Sequence, residues 1–430
     1  MVDWQRRVAP LVRAVERRYD ALKYRIYYAL GGPGPLMIQP YRGYGTRERL
    51  HLKGRVLEDR GIKPPSETDN WWTNLLNMYK RLQSREVPHA RLVARFQDVE
   101  QEVVADEEGM FELWIEPSQR LAEGGTWESV ELELIEPKSD RQEGPVRATG
   151  RVLIPSAGAR FGVISDIDDT VIQSQIGNLA QMVGTVLFSN ARTRLPLPGV
   201  AAFYRALHAG AEGDTRNPMF YVSNGLWNLY DLLEDFFALN RIPGGPVLLL
   251  RNWGVYEYEL LPTRDRGHKP GLIRPILDLY ADLPFILIGD SGEADPEIYH
   301  EIVQQYGERI LAVYIRNVSR DLERPEAVRA LAGEIVDAGS ELVLADDSLS
   351  MARHAARRGW IKEDALREIE AEQSRESGGS RSIGDASPMD RDRGPVEIEG
   401  DVDDGAIGSA LEDASGEDVP TVVVEPGEGG

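Results

Sequence analysis

With 430 residues, 42% of them hydrophobic, the chain has room for two or three domains with real cores. It contains no cysteine, which excludes disulfides, thiolate metal sites and cysteine nucleophiles, and fits a reducing cytoplasm. A net charge of −22 would exclude nucleic acid and anionic membranes if it were evenly spread, but residues 371–430 alone hold 16 acids against four bases.

Met1 to Arg7 lacks the apolar core expected of a secretory signal. No apolar run approaches the roughly 18–20 residues of a membrane span. From 3 to 30 the spacing predicts an amphipathic helix, with Trp4, Val8, Leu11, Val12, Val15, Tyr19, Leu22 and Ile26 on its apolar face. Seven bases stand there against Asp3, Glu16 and Asp20. Such a helix can lie on anionic lipid or dock on its own protein. Residues 1–35 are therefore read as a basic helix closed by the linker Gly31-Gly-Pro-Gly-Pro35.

Short strand-like runs follow: His51–Leu57, Ala90–Phe96, Phe111–Ile115, Ser129–Ile135 and Thr149–Ile154. Turns separate them, and Trp71–Leu82 reads as a helical insertion. The pattern predicts a small β-sandwich over 36–158 with a scaffold or interaction role. Residues 159–365 change character. Strand-like runs at Phe161–Ser165, Met219–Ser223, Val247–Leu250, Phe285–Gly289, Ile310–Ile315 and Leu342–Ala345 alternate with helical stretches near 199–209, 226–239, 271–280, 295–306 and 325–338. That alternation predicts an α/β domain with a mostly parallel sheet and helices on both faces. The acidic stretch 366–430, which lacks aromatic residues past Trp360, is expected to be a disordered tail.

Four motifs fall at predicted strand ends of the α/β part, where such sheets build their sites. Asp166-Ile-Asp168-Asp-Thr170 follows an apolar strand, and residues two apart on an extended chain point the same way. Ser223-Asn224-Gly225, His268-Lys269-Pro270 and Gly289-Asp290-Ser-Gly-Glu-Ala-Asp295 come next. Phosphoryl transfer uses each. A carboxylate can attack phosphorus while a second one handles the leaving-group proton. Ser223 and Lys269 can supply donors and positive charge to the phosphate oxygens, and Asp166 and Asp290 can hold Mg²⁺. A calcium loop starting at Asp166 would need Gly at its sixth position and Glu at its twelfth; Val171 and Gly177 stand there.

These motifs resemble the haloacid dehalogenase superfamily. With Trp227-Asn-Leu-Tyr230 and Asp295-Pro-Glu-Ile-Tyr299, the α/β part resembles more narrowly the actin-patch phosphatidate phosphatase family and its bacterial relatives. The resemblance is strong over about 160–350. It implies a haloacid dehalogenase-like Rossmannoid fold and the conversion of phosphatidate to diacylglycerol through an aspartyl-phosphate. It implies Asp166 as nucleophile and Asp168 as acid/base. It assigns Thr170, Ser223, Asn224 and Lys269 to substrate and Asp166, Asp168, Asp290 and Asp295 to Mg²⁺. Where relatives often carry Ser-Pro after the second motif, this chain has Gly225-Leu226.

Between the first motif and Leu195-Pro-Leu-Pro-Gly199 lies a stretch short for a large cap domain. Ile176, Leu179, Ala180, Val183, Val186 and Leu187 form an apolar face near Arg192 and Arg194. It suits an amphiphilic ester at a membrane surface or a simple packed lid. The implied partner is a phospholipid or membrane surface, with no nucleic acid; the implied place is the cytoplasm, with peripheral membrane association open to it. A phosphatase for a soluble metabolite or phosphoprotein, and a non-catalytic phospholipid-binding module, are the alternatives.

Overall fold

The computed structural model describes residues 34–59, 85–123, 126–172, 196–251, 268–319, 323–384 and 422–424. The predicted basic helix over 3–30, the insertion at 71–82 and the apolar stretch from 176 to 194 lie outside them. Among the described residues no helix is long and apolar enough to cross a membrane.

The β region is built from β1 (Leu36–Pro40), β2 (Gly43–Gly45), β3 (Leu50–Glu58), β4 (Arg91–Phe96), β5 (Val99–Val104), β6 (Met110–Ile115), β7 (Trp127–Glu136) and β8 (Arg147–Leu153). All eight join in one hydrogen-bonded set, in the order β1-β3-β2-β8-β7-β4-β5 with β6 on β3. Alternation does its usual work here. Val130, Leu132 and Leu134 of β7 are buried while Glu131 faces out. β1, β2 and β5 were not among the expected strands: β2 has only three residues, and β5 is an edge strand with no fully buried position.

The α/β region carries a second sheet, of β9 (Gly162–Asp166), β10 (Met219–Leu226), β11 (Val247–Arg251), β12 (Phe285–Asp290), β13 (Ile310–Arg316), β14 (Glu341–Ala345) and β15 (Val422–Val424). Its order is β11-β10-β9-β12-β13-β14-β15, parallel except for β15. The strand cores are apolar on both faces, as a covered parallel sheet requires. Val163, Ile286, Ile288 and Tyr314 face one core with α1 (Val200–Ala209), α2 (Tyr230–Leu239) and α6 (Ser348–Arg357). Their neighbours Ile164, Leu287, Val313 and Ile315 face the other, with α3 (His268–Leu279), α4 (Asp295–Tyr306) and α5 (Arg324–Asp337). The expected helix over 226–239 starts later, after a single tight turn at Trp227–Leu229.

The expectation of a disordered tail from 366 is corrected over its first part. Ala365–Gly384 is a 20-residue helix, α7, with Ile369 buried under α1. Its acids find donors at the start of α1: Gly199 N–H donates to Glu376 Oε2 at 2.8 Å and Ala202 N–H to Glu372 Oε1 at 2.8 Å. Arg205 bridges Glu368 and Glu372. Carboxylates four residues apart share one helix face and meet the positive end of another helix, so they stabilise the contact that composition alone reads as repulsion.

Two tyrosines join the regions. Tyr41 stacks on Trp227 at 4.3 Å in one core, and Tyr44 enters the other. Tyr280 Oη donates to the carbonyl of Gly45 at 2.9 Å, and Arg42 pairs with Glu234 at 2.5 Å.

Candidate active site

Register brings three motifs to one sheet edge. Asp166 closes β9 and lies opposite Val222 of β10, one residue before Ser223. Ile288 of β12 lies opposite Ser165, two residues before Asp290. Because the strands are parallel, all these motifs fall at C-terminal ends, where the chain leaves the sheet with side chains free to converge. After Asp166 the backbone closes a tight turn: Val171 and Ile172 N–H both donate to the carbonyl of Ile167, at 2.9 and 3.1 Å. Asp169 takes a left-handed φ of 51° to make it. Asp168 is thereby turned toward β10, and Ser223 Oγ donates to its Oδ2 at 3.0 Å.

Lys269 enters from the first turn of α3. Its Nζ lies 2.8 Å from Asp166 Oδ1, 2.5 Å from Asp295 Oδ1 and 3.0 Å from Glu293 Oε2. Asp295 opens α4 and reaches back to β12, where Asp290 N–H donates to its Oδ2 at 3.3 Å. That approach depends on Gly289: a Cβ there would sit 2.4 Å from Asp295 Oδ2 and 2.8 Å from Tyr299. Asp290 Oδ1 accepts from Gly292 and Glu293 N–H at 2.6 and 3.0 Å, which fixes its orientation.

One lysine faces several buried acids, and their protonation shows the imbalance. Burial pushes Asp166 well up and Asp290 up to about 8, with neighbouring acids adding to the rise and Lys269 opposing it. Burial also raises Asp168, to about 6, against the pull of the Ser223 hydrogen bond. Burial pulls Lys269 down, but Asp166, Asp295 and Glu293 outweigh it and hold the ammonium charged. A divalent cation fits this cluster. Asp166, Asp290 and Asp295 each offer an oxygen within 4.8 Å of the others. Asp166 Oδ2 and Asp290 Oδ2 are buried without hydrogen-bond partners. An all-carboxylate donor set suits a hard ion, whose charge would relieve the mutual repulsion.

Residues 161–317 match the family model described as the catalytic domain of phosphatidate phosphatase APP1. They span β9 to the end of β13 and contain the whole cluster. Phosphatidate phosphatase APP1 of Saccharomyces cerevisiae is 34% identical over 166 residues, 38% of this chain and 27% of that protein. Over these residues the α/β region is similar to the actin-patch phosphatidate phosphatase family. An uncharacterized protein of Schizosaccharomyces pombe is 33% identical over 163 residues, 37% of this chain and 26% of its own. The chain thus spans about a quarter of the length of the curated relatives it matches. A solved carbohydrate acetylesterase from Xanthomonas citri aligns over 74% of this chain and 72% of its own, at 10% identity and a TM-score of 0.27, too loose to bear on the fold.

Within the matched stretch, the structure gathers Asp166, Asp168, Ser223, Lys269, Asp290 and Asp295 at one edge, all buried. Thr170 is also buried there, its hydroxyl without a partner. Asn224 is exposed above them and donates to Glu293 Oε2 at 3.3 Å. One expectation changes. The Asp168 carboxylate is not part of the three-acid group, because the turn directs it to Ser223; the acids whose oxygens lie close enough together to hold an ion are Asp166, Asp290 and Asp295. Glu293, which sequence reasoning gave no role, holds both Lys269 and Asn224. Its place in the fourth motif, three residues past Asp290, was the available signal.

Proposed function

We propose that this chain is a phosphomonoesterase working through an aspartyl-phosphate on Asp166, most readily on phosphatidate, which it converts to diacylglycerol and phosphate. The observation that carries the reaction type is the buried Asp166–Lys269 pair at 2.8 Å with a second carboxylate, Asp168, two residues on. Lys269 holds Asp166 Oδ1, so Oδ2 is the atom to attack phosphorus. As the ester P–O bond breaks, Asp168 gives its proton to the leaving alkoxide. Its raised pKa of about 6 keeps a proton on it near neutrality more often than an ordinary aspartate would. The same group then takes a proton from the water that cleaves the acyl phosphate, and Asp166 is regenerated.

Lys269, the Ser223 and Thr170 hydroxyls and the Asn224 amide are the donors for the phosphate oxygens. A cation held by Asp166, Asp290 and Asp295, which we take to be Mg²⁺, would offset charge on phosphate and carboxylates alike. The phosphatidate assignment rests on the family model matched over 161–317 and on the name of the yeast relative. We also take the α/β region as haloacid dehalogenase-like and the β region as a small sandwich; the parallel order β11-β10-β9-β12-β13-β14 and the separate apolar core of the β strands support this. Peripheral membrane contact belongs to the same proposal.

The test is phosphate release from phosphatidate in mixed micelles with Mg²⁺. Asp166→Asn and Asp168→Asn should each lower it on the order of 10³-fold or more. Faster hydrolysis of a soluble sugar phosphate than of phosphatidate would sink the lipid assignment while leaving the chemistry intact.

A further inference from the structure

The seam between the two regions forms a half-open cavity of about 190 Å³. Arg42, Trp127 and Arg151 line it from the β region, and His208, Arg216 and Met219 from the α/β region. β10 enters its sheet at Met219 and reaches Ser223 four residues later. The cavity therefore lies at the edge where the strands begin, about 13 Å along the strand from the catalytic edge.

Trp127 organises the cations. It pairs opposite Leu153 of β8, and Arg151, two residues back, is its diagonal neighbour on the same face. The guanidinium carbons of Arg151 and Arg42 lie 5.0 and 5.6 Å from the indole centre. One ring thus gathers two like charges, whose mutual repulsion it only partly offsets. Glu234 neutralises Arg42 from outside the cavity. Among the described residues, Arg151 and Arg216 have no carboxylate partner, and no acid lines the cavity. The fold also makes room for this arrangement. A Cβ at Gly244 would sit 2.3 Å from Arg42 Nη1. Arg216 adopts a left-handed φ of 55°, a strained conformation for a residue with a long side chain. His208 Nδ1 donates to the carbonyl of Asn217 at 2.8 Å, which fixes the orientation of its ring.

We propose that this seam cavity binds a small tetrahedral dianion of the phosphate class, taken free from solution. Its volume is below the roughly 300–1,000 Å³ usual for drug-sized ligands, which suits a phosphate-sized group. A membrane seated over the aspartates would face the opposite sheet edge, so the favoured source is a soluble anion and not a lipid headgroup. Arg42 and Arg151 come from the β region and Arg216 from the α/β region, so the anion ties the regions together.

Sulfate, a tetrahedral dianion that is not hydrolysed, is the probe, titrated into the full chain with EDTA present. Without a cation, the catalytic edge sets Asp166, Asp290, Asp295 and Glu293 against Lys269 and repels anions. Calorimetry should find one site, and sulfate should raise the melting temperature. Arg151→Gln combined with Arg216→Gln should weaken binding roughly tenfold or more while leaving the sulfate-free urea midpoint as high as the wild type's. If that pair fails to fold, Arg151→Lys with Arg216→Lys, which keeps the charge and loses the planar fork, should fold and bind more weakly. Equal sulfate affinity in wild type and the folded variant, or no binding by wild type, overturns the proposal. So does the lipid outcome, in which free sulfate fails to bind while the same substitutions remove binding to phosphatidate vesicles.

Discussion

The β region and the α/β region use acids and bases in opposite ways. On β4, Arg91 pairs with Glu102 and Glu136, and Arg95 with Glu100 and Glu133, in a cross-strand ladder open to water. At the end of β9, similar charges meet with almost no water: Asp166 and Asp295 are fully buried and Lys269 is 2% exposed. Exposed pairs gain little because solvent screens them and side-chain entropy opposes them. Buried charges are costly unless partnered, and here the partners do not balance. A cluster that opposes folding in this way is retained where its chemistry is needed. The difference between the regions is thus one of dielectric surroundings, and not of residue type.

The largest test of that contrast is Asp290→Asn. It should raise the cation concentration needed for half-maximal activity by roughly tenfold or more. Without cation, the melting temperature should stay level or rise, because a buried carboxylate has been removed. A cation requirement that does not move would separate Asp290 from the metal group. Gly289→Ala comes next. The added methyl must displace Asp295 or Tyr299, with an expected stability loss of about 1–3 kcal/mol, measurable by urea denaturation, and a weaker cation response.

The seam lies between the two extremes. Burial raises Glu234 to about 7, against the pull of Arg42. A group whose folded pKa is raised contributes its stability below the unfolded value, near 4.5, and loses it as pH rises toward 7. The wild type should therefore lose up to about 3 kcal/mol through this group over that window, and Glu234→Gln should flatten the slope. Parallel stability curves for the two proteins between pH 4.5 and 8 would refute the assignment. The smallest effect belongs to the ladder. Arg95→Ala should leave the denaturation midpoint unresolved from wild type and insensitive to salt; a clear drop would mean that the exposed network is cooperative.

Much of the α/β architecture was legible from the chain. Val163-Ile164, Phe285-Ile-Leu-Ile288 and Leu342-Val-Leu344 are continuous apolar runs, which only a strand covered on both faces tolerates. The β region was less legible at its margins. β5 carries Glu100, Gln101 and Glu102, whose polarity reads as loop until Arg91 and Arg95 are seen beside them. α7 was missed for a related reason: Glu372 and Glu376 count as charge in composition and as caps in space, and Glu368 as a partner of Arg205. Tyr41 and Tyr44, only three residues apart, gave no sign that they would enter two different cores.

By itself the sequence determined which chemistry the site can carry. The spacing of Asp166 and Asp168, and the placing of Ser223, Lys269, Asp290 and Asp295 after apolar runs or at a helix start, follow from periodicities of two and 3.6 that are local to the backbone. Tertiary structure decided the division of labour. The turn closed by Asp169 sends Asp168 to Ser223 and leaves Asp166 with Asp290 and Asp295 in the three-acid cluster. The missing Cβ of Gly289 admits Asp295, and Lys269 gathers Glu293 from a loop 24 residues away. Those outcomes depend on contacts between elements distant along the chain, which local patterns do not encode, and on burial, which sets how strongly each charge is felt.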